Sequence, residues 1–100
     1  MQFIYEEQLL EYMKRKKKNN IVIEVICINN SDFETTDLHV HFVNEKQSDF
    51  YKEKKNYKGI ATEYGEVLLP PYRLEYDETI RFGLKNFLGI KSVKMKGVRL

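Results

Sequence analysis

The sequence predicts a single α+β domain, with one N-terminal helix packed on a mixed or antiparallel sheet of about six strands. Three observations lead there. One segment, residues 6–18, sets apolar side chains at helical spacing: Leu9, Leu10 and Met13. One segment, residues 21–28 (IVIEVICI), is β-branched and apolar on both faces except at Glu24. The remainder alternates apolar and polar residues in short runs between turn signals, with no βαβα rhythm. A chain of 100 residues has material for one core, so residues 1–100 read as one domain.

Each element follows from its residues. Gln2–Tyr5 is a short apolar start that suits an edge strand. Residues 6–18 carry Glu6, Glu7 and Glu11 early and five consecutive basic residues late, which matches the helix dipole at both ends. Asn19-Asn20 is a natural stop, because asparagine tolerates the left-handed C-cap. Residues 21–28 then read as a central strand covered on both sides, and residues 29–37 as a polar loop. Residues 38–43 put Leu38, Val40 and Phe42 on one face and His39 and His41 on the other. Residues 45–56 are highly charged without a usable period and read as a surface loop. Residues 57–64 alternate weakly, and Gly65-Glu66 marks a turn. Residues 67–69 are stopped by Pro70-Pro71, which cannot continue a ladder. Tyr72, Leu74 and Tyr76, then Ile80, Phe82 and Leu84, alternate on either side of a turn at Asp77-Glu78. Residues 86–89 form a tight connection to a last strand, and Gly97 suits a bulge because Val98 and Leu100 resume on the opposite parity.

Composition narrows the function classes. At 42% apolar and 32% charged, the chain is neither disordered nor fibrous. No apolar run approaches the ~20 residues that span a bilayer, which argues against a membrane protein. The start runs directly into Glu6 and Glu7, which reads as no signal peptide, and a single cysteine makes no internal disulfide; the expected location is the cytoplasm. The net charge of +2 is too small for a general polyanion binder. Its distribution is uneven: residues 1–50 carry 6 basic and 9 acidic groups, residues 51–100 carry 11 and 6. Residues 81–100 hold Arg81, Lys85, Lys91, Lys94, Lys96 and Arg99 and no acid.

The order of these elements resembles the HesB-like fold of the A-type iron–sulfur carriers (HesB/IscA-like). The likeness covers nearly the whole chain. A strand and helix (residues 2–18) precede the apolar strand 21–28, and a strand ends in His41-Phe42-Val43-Asn44-Glu45. KGIATEY (residues 58–64) resembles the family's glycine-containing strand, and DETIRFGLKNFLGIKSVKM (residues 77–95) its closing strands. The tail, residues 86–92 followed by 96–100, is similar to that of small clostridial and bacillar HesB-like proteins with a Cys-Cys or Cys-selenocysteine motif. The resemblance implies the fold and a setting in iron–sulfur or redox metabolism. It does not bring the family's ligands: residues 29–37 contain no cysteine, Ser31-Asp32-Phe33-Glu34 stands where the Cys-Cys pair would be, and no Cys-x-Cys occurs. No cofactor is therefore expected from the family's ligand set, and fold alone does not license function.

Several residues carry chemistry of their own. His39 and His41 sit two apart on a strand, a spacing that suits two imidazoles on one zinc, nickel or copper ion, with Cys27 as a third ligand if the strands pair in register. The opposing account is two exposed histidines and a small buried cysteine, whose thiol would be unreactive. Glu24 is the one charge in its strand and, if buried, needs a partner; the expectation is that the strand lies near an edge there or that Glu24 faces a lysine or arginine from the basic C-terminal strand. Residues 49–58 interleave Phe50, Tyr51 and Tyr57 with four lysines, the composition of a weak single-stranded nucleic-acid surface or of a solvated loop. An exposed aromatic stripe at Tyr72/Leu74/Tyr76 would favour a homodimer. No P-loop, Gly-x-Ser-x-Gly, Gly-x-Gly-x-x-Gly or His-Glu-x-x-His occurs. The expected role is a small non-enzymatic binding or accessory protein with an unknown protein partner. The alternatives are a transition-metal binder using Cys27, His39 and His41, and a weak single-stranded nucleic-acid binder.

Overall fold

The structure, a computed structural model, describes residues 1–29 and 34–100. The order is β1 (Gln2–Tyr5), α1 (Glu7–Lys16), β2 (Asn20–Asn29), β3 (Glu34–Val43), α2 (Glu45–Lys54), β4 (Lys58–Thr62), β5 (Gly65–Leu69), β6 (Glu75–Phe87) and β7 (Ile90–Arg99). One sheet has the order β1-β6-β7, with β1 parallel to β6. The other has the order β3-β2-β5-β4, with β2 parallel to β5. The α+β class of the sequence holds. The arrangement differs from one helix on a sheet of about six strands: two helices and two mixed sheets share the work among the described residues.

The main core lies between the two sheets. Ile21, Ile23, Val67 and Leu69 come from one sheet, Ile80, Phe82, Val93 and Val98 from the other, and Leu9 and Met13 of α1 join them. Alternation produces this layering, since every second residue of a strand faces the same way. Phe82 is fully buried, its ring stacked on Phe3 at 5.9 Å and tilted against Tyr5 at 5.4 Å. A smaller cluster, Val22, Val43, Tyr57 and Leu68, fills the opposite face of the four-stranded sheet beneath α2. Both faces of β2 are thus covered as far as Ile23. β5 pairs only with Ile21 and Val22, so from Glu24 onward β2 has β3 as its one strand partner among the described residues.

Four boundaries differ from expectation. Helix α1 ends two residues earlier, at a left-handed Lys17 (φ 56°) whose neighbour Lys18 donates to the Met13 carbonyl. β3 begins at Glu34, inside the expected loop; residues 30–33, which take in part of that loop and most of the site compared with the Cys-Cys pair, lie outside the described residues. β6 runs unbroken from Glu75 to Phe87, and its four residues between Tyr76 and Arg81 oppose Gly97 alone, which adopts a positive φ of 104°. The expected bulge and the expected turn at Asp77-Glu78 are one irregularity. The fourth difference is α2, a helix within residues expected to form a loop.

Candidate functional site

Residues 45–54 form a helix where a loop was expected, and the reason is local. Asn44 caps it: its side chain accepts from the Gln47 N–H at 2.8 Å, and the Gln47 side chain accepts from the Asn44 N–H at 2.9 Å. The helix rests on the sheet through polar contacts. Buried Asn20 donates through Nδ2 to Glu45 Oε1 and to buried Ser48 Oγ, both at 3.0 Å, and accepts through Oδ1 from the Glu66 N–H at 3.0 Å. One asparagine therefore ties β2, α2 and β5 together. On the exposed side, Lys52 bridges to Glu66 at 3.0 Å.

This placement builds a cluster around Glu24. The register sets Glu24 opposite His39 and Val22 opposite His41, so all four side chains share the α2 face. The Tyr51 hydroxyl donates to Glu24 Oε2, and His41 Nε2 lies 3.7 Å from the same oxygen. His41 Nδ1 lies 3.4 Å from the Phe42 carbonyl, and His39 Nε2 lies 3.6 Å from Asp37 Oδ2. The Tyr57 ring meets Tyr51 edge-on at 4.9 Å, and Lys55 Nζ stands 4.9 Å from the Tyr51 ring centre. The expected cationic partner of Glu24 is replaced by His41 and Tyr51. The reason is topological: β7 belongs to the other sheet, across the main core, whereas Glu24 faces outward beneath α2.

The same parity separates Cys27 from the histidines. Cys27 pairs with Thr36, its sulfur 4.0 Å from Thr36 Oγ1, three residues along β2 from Glu24 and hence on the opposite face. The structure brings Glu24, His39 and His41 to one face and does not bring Cys27 to it. Cys27 is also exposed rather than buried, because the β2–β3 ribbon extends past β5 there. Among the described residues, no three His, Cys, Asp or Glu side chains converge on one point. Of the three aromatics in residues 49–58, Tyr57 is buried and Tyr51 is engaged with Glu24; Phe50 alone is exposed.

Burial, and then the charge of Glu24, push the Tyr57 phenol up to about 12, with Tyr72 adding and a backbone hydrogen bond from Val25 opposing. Burial, then the hydrogen bond to Glu24, pushes the Tyr51 phenol further in the same direction. A phenol raised in the fold contributes stability that is complete below its unfolded value of about 10 and is lost as pH rises through its folded value. An absorbance titration of the seven tyrosines should therefore show phenols that ionise late. Tyr51→Phe and Tyr57→Phe should each remove one, and titration of every phenol near 10 would contradict the cluster.

A second surface is built by β6 and β7. Arg81 pairs with Lys96, Gly83 with Lys94, Lys85 with Ser92 and Phe87 with Ile90. Opposed residues share a face, so one outward face carries Arg81, Lys85, Lys94 and Lys96 and runs to Phe87 and Ile90 at its tip. Among the described residues none of these four cations is in an ion pair; the carboxyl of Glu6 lies over Gly83, beside the Lys94 stem. Leu88 (φ 51°) and Gly89 (φ 82°) make the two-residue turn, both left-handed as a primed hairpin turn requires. Leucine in that conformation costs about 1–2 kcal/mol, and Leu88 is 87% exposed. Phe87 and Ile90 are exposed beside it. No helix is long and apolar enough to cross a membrane among the described residues. Comparison with family models, with curated proteins and with solved structures returns no match.

Proposed function

We propose that this chain is a non-enzymatic binding or accessory protein of HesB-like build that docks an acidic protein partner on the outward face of β6–β7. One observation carries the reading: a face with four cations that make no ion pair among the described residues, ending in a strained and exposed Leu88 between Phe87 and Ile90. Like charges directly opposed, as at Arg81/Lys96, repel within the isolated protein and are relieved by an anionic partner. An apolar side chain held in a costly conformation without internal packing is accounted for when it enters a pocket on that partner. A setting near iron–sulfur or redox metabolism is supported by the resemblance in element order and tail sequence.

The test uses an acidic amphipathic peptide that alternates glutamate with leucine and phenylalanine. Its affinity should fall about tenfold as salt rises from about 0.1 to 1 M, where the screening length shrinks from ~10 to ~3 Å. The paired change Lys94→Glu with Lys96→Glu should remove that salt dependence, and Leu88→Asp should weaken binding about tenfold with the dependence kept. Unchanged affinity in both variants, or tighter binding of a single-stranded oligonucleotide than of the peptide, would overturn the reading.

A further inference from the structure

We propose that Glu24, His39 and His41 form a binding site for one divalent first-row transition ion, with Tyr51 and the Phe42 carbonyl as its supporting shell. The three donors lie on one face of an antiparallel ribbon, Glu24 directly opposite His39, with His41 two residues along the same strand as His39. Glu24 Oε2 and His41 Nε2 stand 3.7 Å apart. Two ligands of one ion, each bound at about 2.0–2.2 Å, sit only slightly closer together than that.

Each donor is placed ready to bind. His41 Nδ1, within 3.4 Å of the Phe42 carbonyl, is placed to carry the ring proton and donate it there, which leaves the Nε2 lone pair facing Glu24. His39 Nε2 lies 3.6 Å from Asp37 Oδ2, beyond hydrogen-bond reach, so the ring is free to turn and present a nitrogen. The Tyr51 hydroxyl donates to Glu24 and orients the carboxylate as an outer-shell donor does. His39 must swing toward Glu24 to complete the set, since three donors do not converge in the metal-free arrangement. His39 is half exposed, with its side chain at 49%, so nothing packed has to move.

Two nitrogens and one carboxylate leave coordination positions open to solvent. They favour copper and nickel over cobalt in the usual order for nitrogen and oxygen ligands. No bond is made or broken beyond coordination, and neutral imidazoles lose no proton on binding.

Cobalt(II) and zinc(II) titrations of the intact chain test the site, read by cobalt visible absorption and by calorimetry. The expected result is one ion per chain with a nitrogen–oxygen spectrum lacking thiolate charge transfer. His39→Ala, His41→Ala and Glu24→Gln should each weaken binding at least about tenfold, and Tyr51→Phe by roughly 10-fold as an outer-shell loss. Cys27→Ser should change nothing. A thiolate band that vanishes in Cys27→Ser, binding that survives both histidine variants, or no saturable binding would each overturn the proposal. Unchanged circular dichroism of each variant separates lost ligation from lost fold.

Discussion

Phe82→Ala is expected to lower the unfolding free energy by about 3–5 kcal/mol. Phe82 is fully buried, touches both Phe3 and Tyr5, and lies where the three-stranded sheet meets the main core. Its removal leaves a cavity that β1 cannot collapse into, because Tyr5 is fixed by its own pairing to residue 82. A whole domain is stabilised by only about 5–15 kcal/mol, so this one change takes a large share. Denaturant unfolding followed by circular dichroism reads it as a drop in midpoint with the slope preserved. A loss below about 1 kcal/mol would mean that Phe82 is not a core residue.

Asn20→Ala should cost about 2–4 kcal/mol, for a different reason. Asn20 makes three hydrogen bonds from a buried position, to Glu45, to Ser48 and from the Glu66 N–H. Alanine leaves the buried Ser48 hydroxyl and the half-buried Glu66 amide without this partner. An unsatisfied buried group costs about 1–3 kcal/mol. Ser48→Ala should be milder, because it removes one partner and leaves the Glu66 bond whole. Hydrogen exchange should show α2 opening in Asn20→Ala while α1 stays protected. Uniform loss of protection across both helices would contradict the hub role.

Much of the sheet structure was legible because alternation is a strong signal. The Leu38/Val40/Phe42 stripe does face the core cluster, and the IVIEVICI segment does run between β3 and β5 at its start. Helix α2 was not legible by periodicity, because its sheet-facing contacts are made by Ser48 and Tyr51 rather than by an aliphatic stripe. The available signal was local: Asn44 followed three residues later by Gln47, a capping pair. By residue type Asn20 suits a helix stop; its burial follows from a helix that the charge pattern conceals.

The candidate site divides the same way. Glu24, His39 and His41 stood out by residue type, but their grouping depends on register, which no single segment encodes. Tyr51 and Tyr57 reach Glu24 only through the return of α2 over β2. The separation of Cys27 follows from the same register. Cys27 has the parity of Ile21, Ile23 and Val25, and the histidines oppose the parity of Leu38, Val40 and Phe42. Two apolar stripes that meet in one core turn the thiol and the imidazoles to opposite sides.

The pairing of β1 with β6 has a consequence for synthesis of the chain. Gln2–Tyr5 join residues 79–82 in parallel, so this strand waits until a partner more than seventy residues later in the sequence has been made. The four-stranded sheet can assemble earlier, since its β2–β3 and β4–β5 pairs are local in sequence. Long-range pairing carries a loop-closure cost that delays folding. While the ribosome is still adding β6, Phe3, Ile4 and Tyr5 remain an uncovered apolar strand, open to chaperone capture or to pairing with a neighbour.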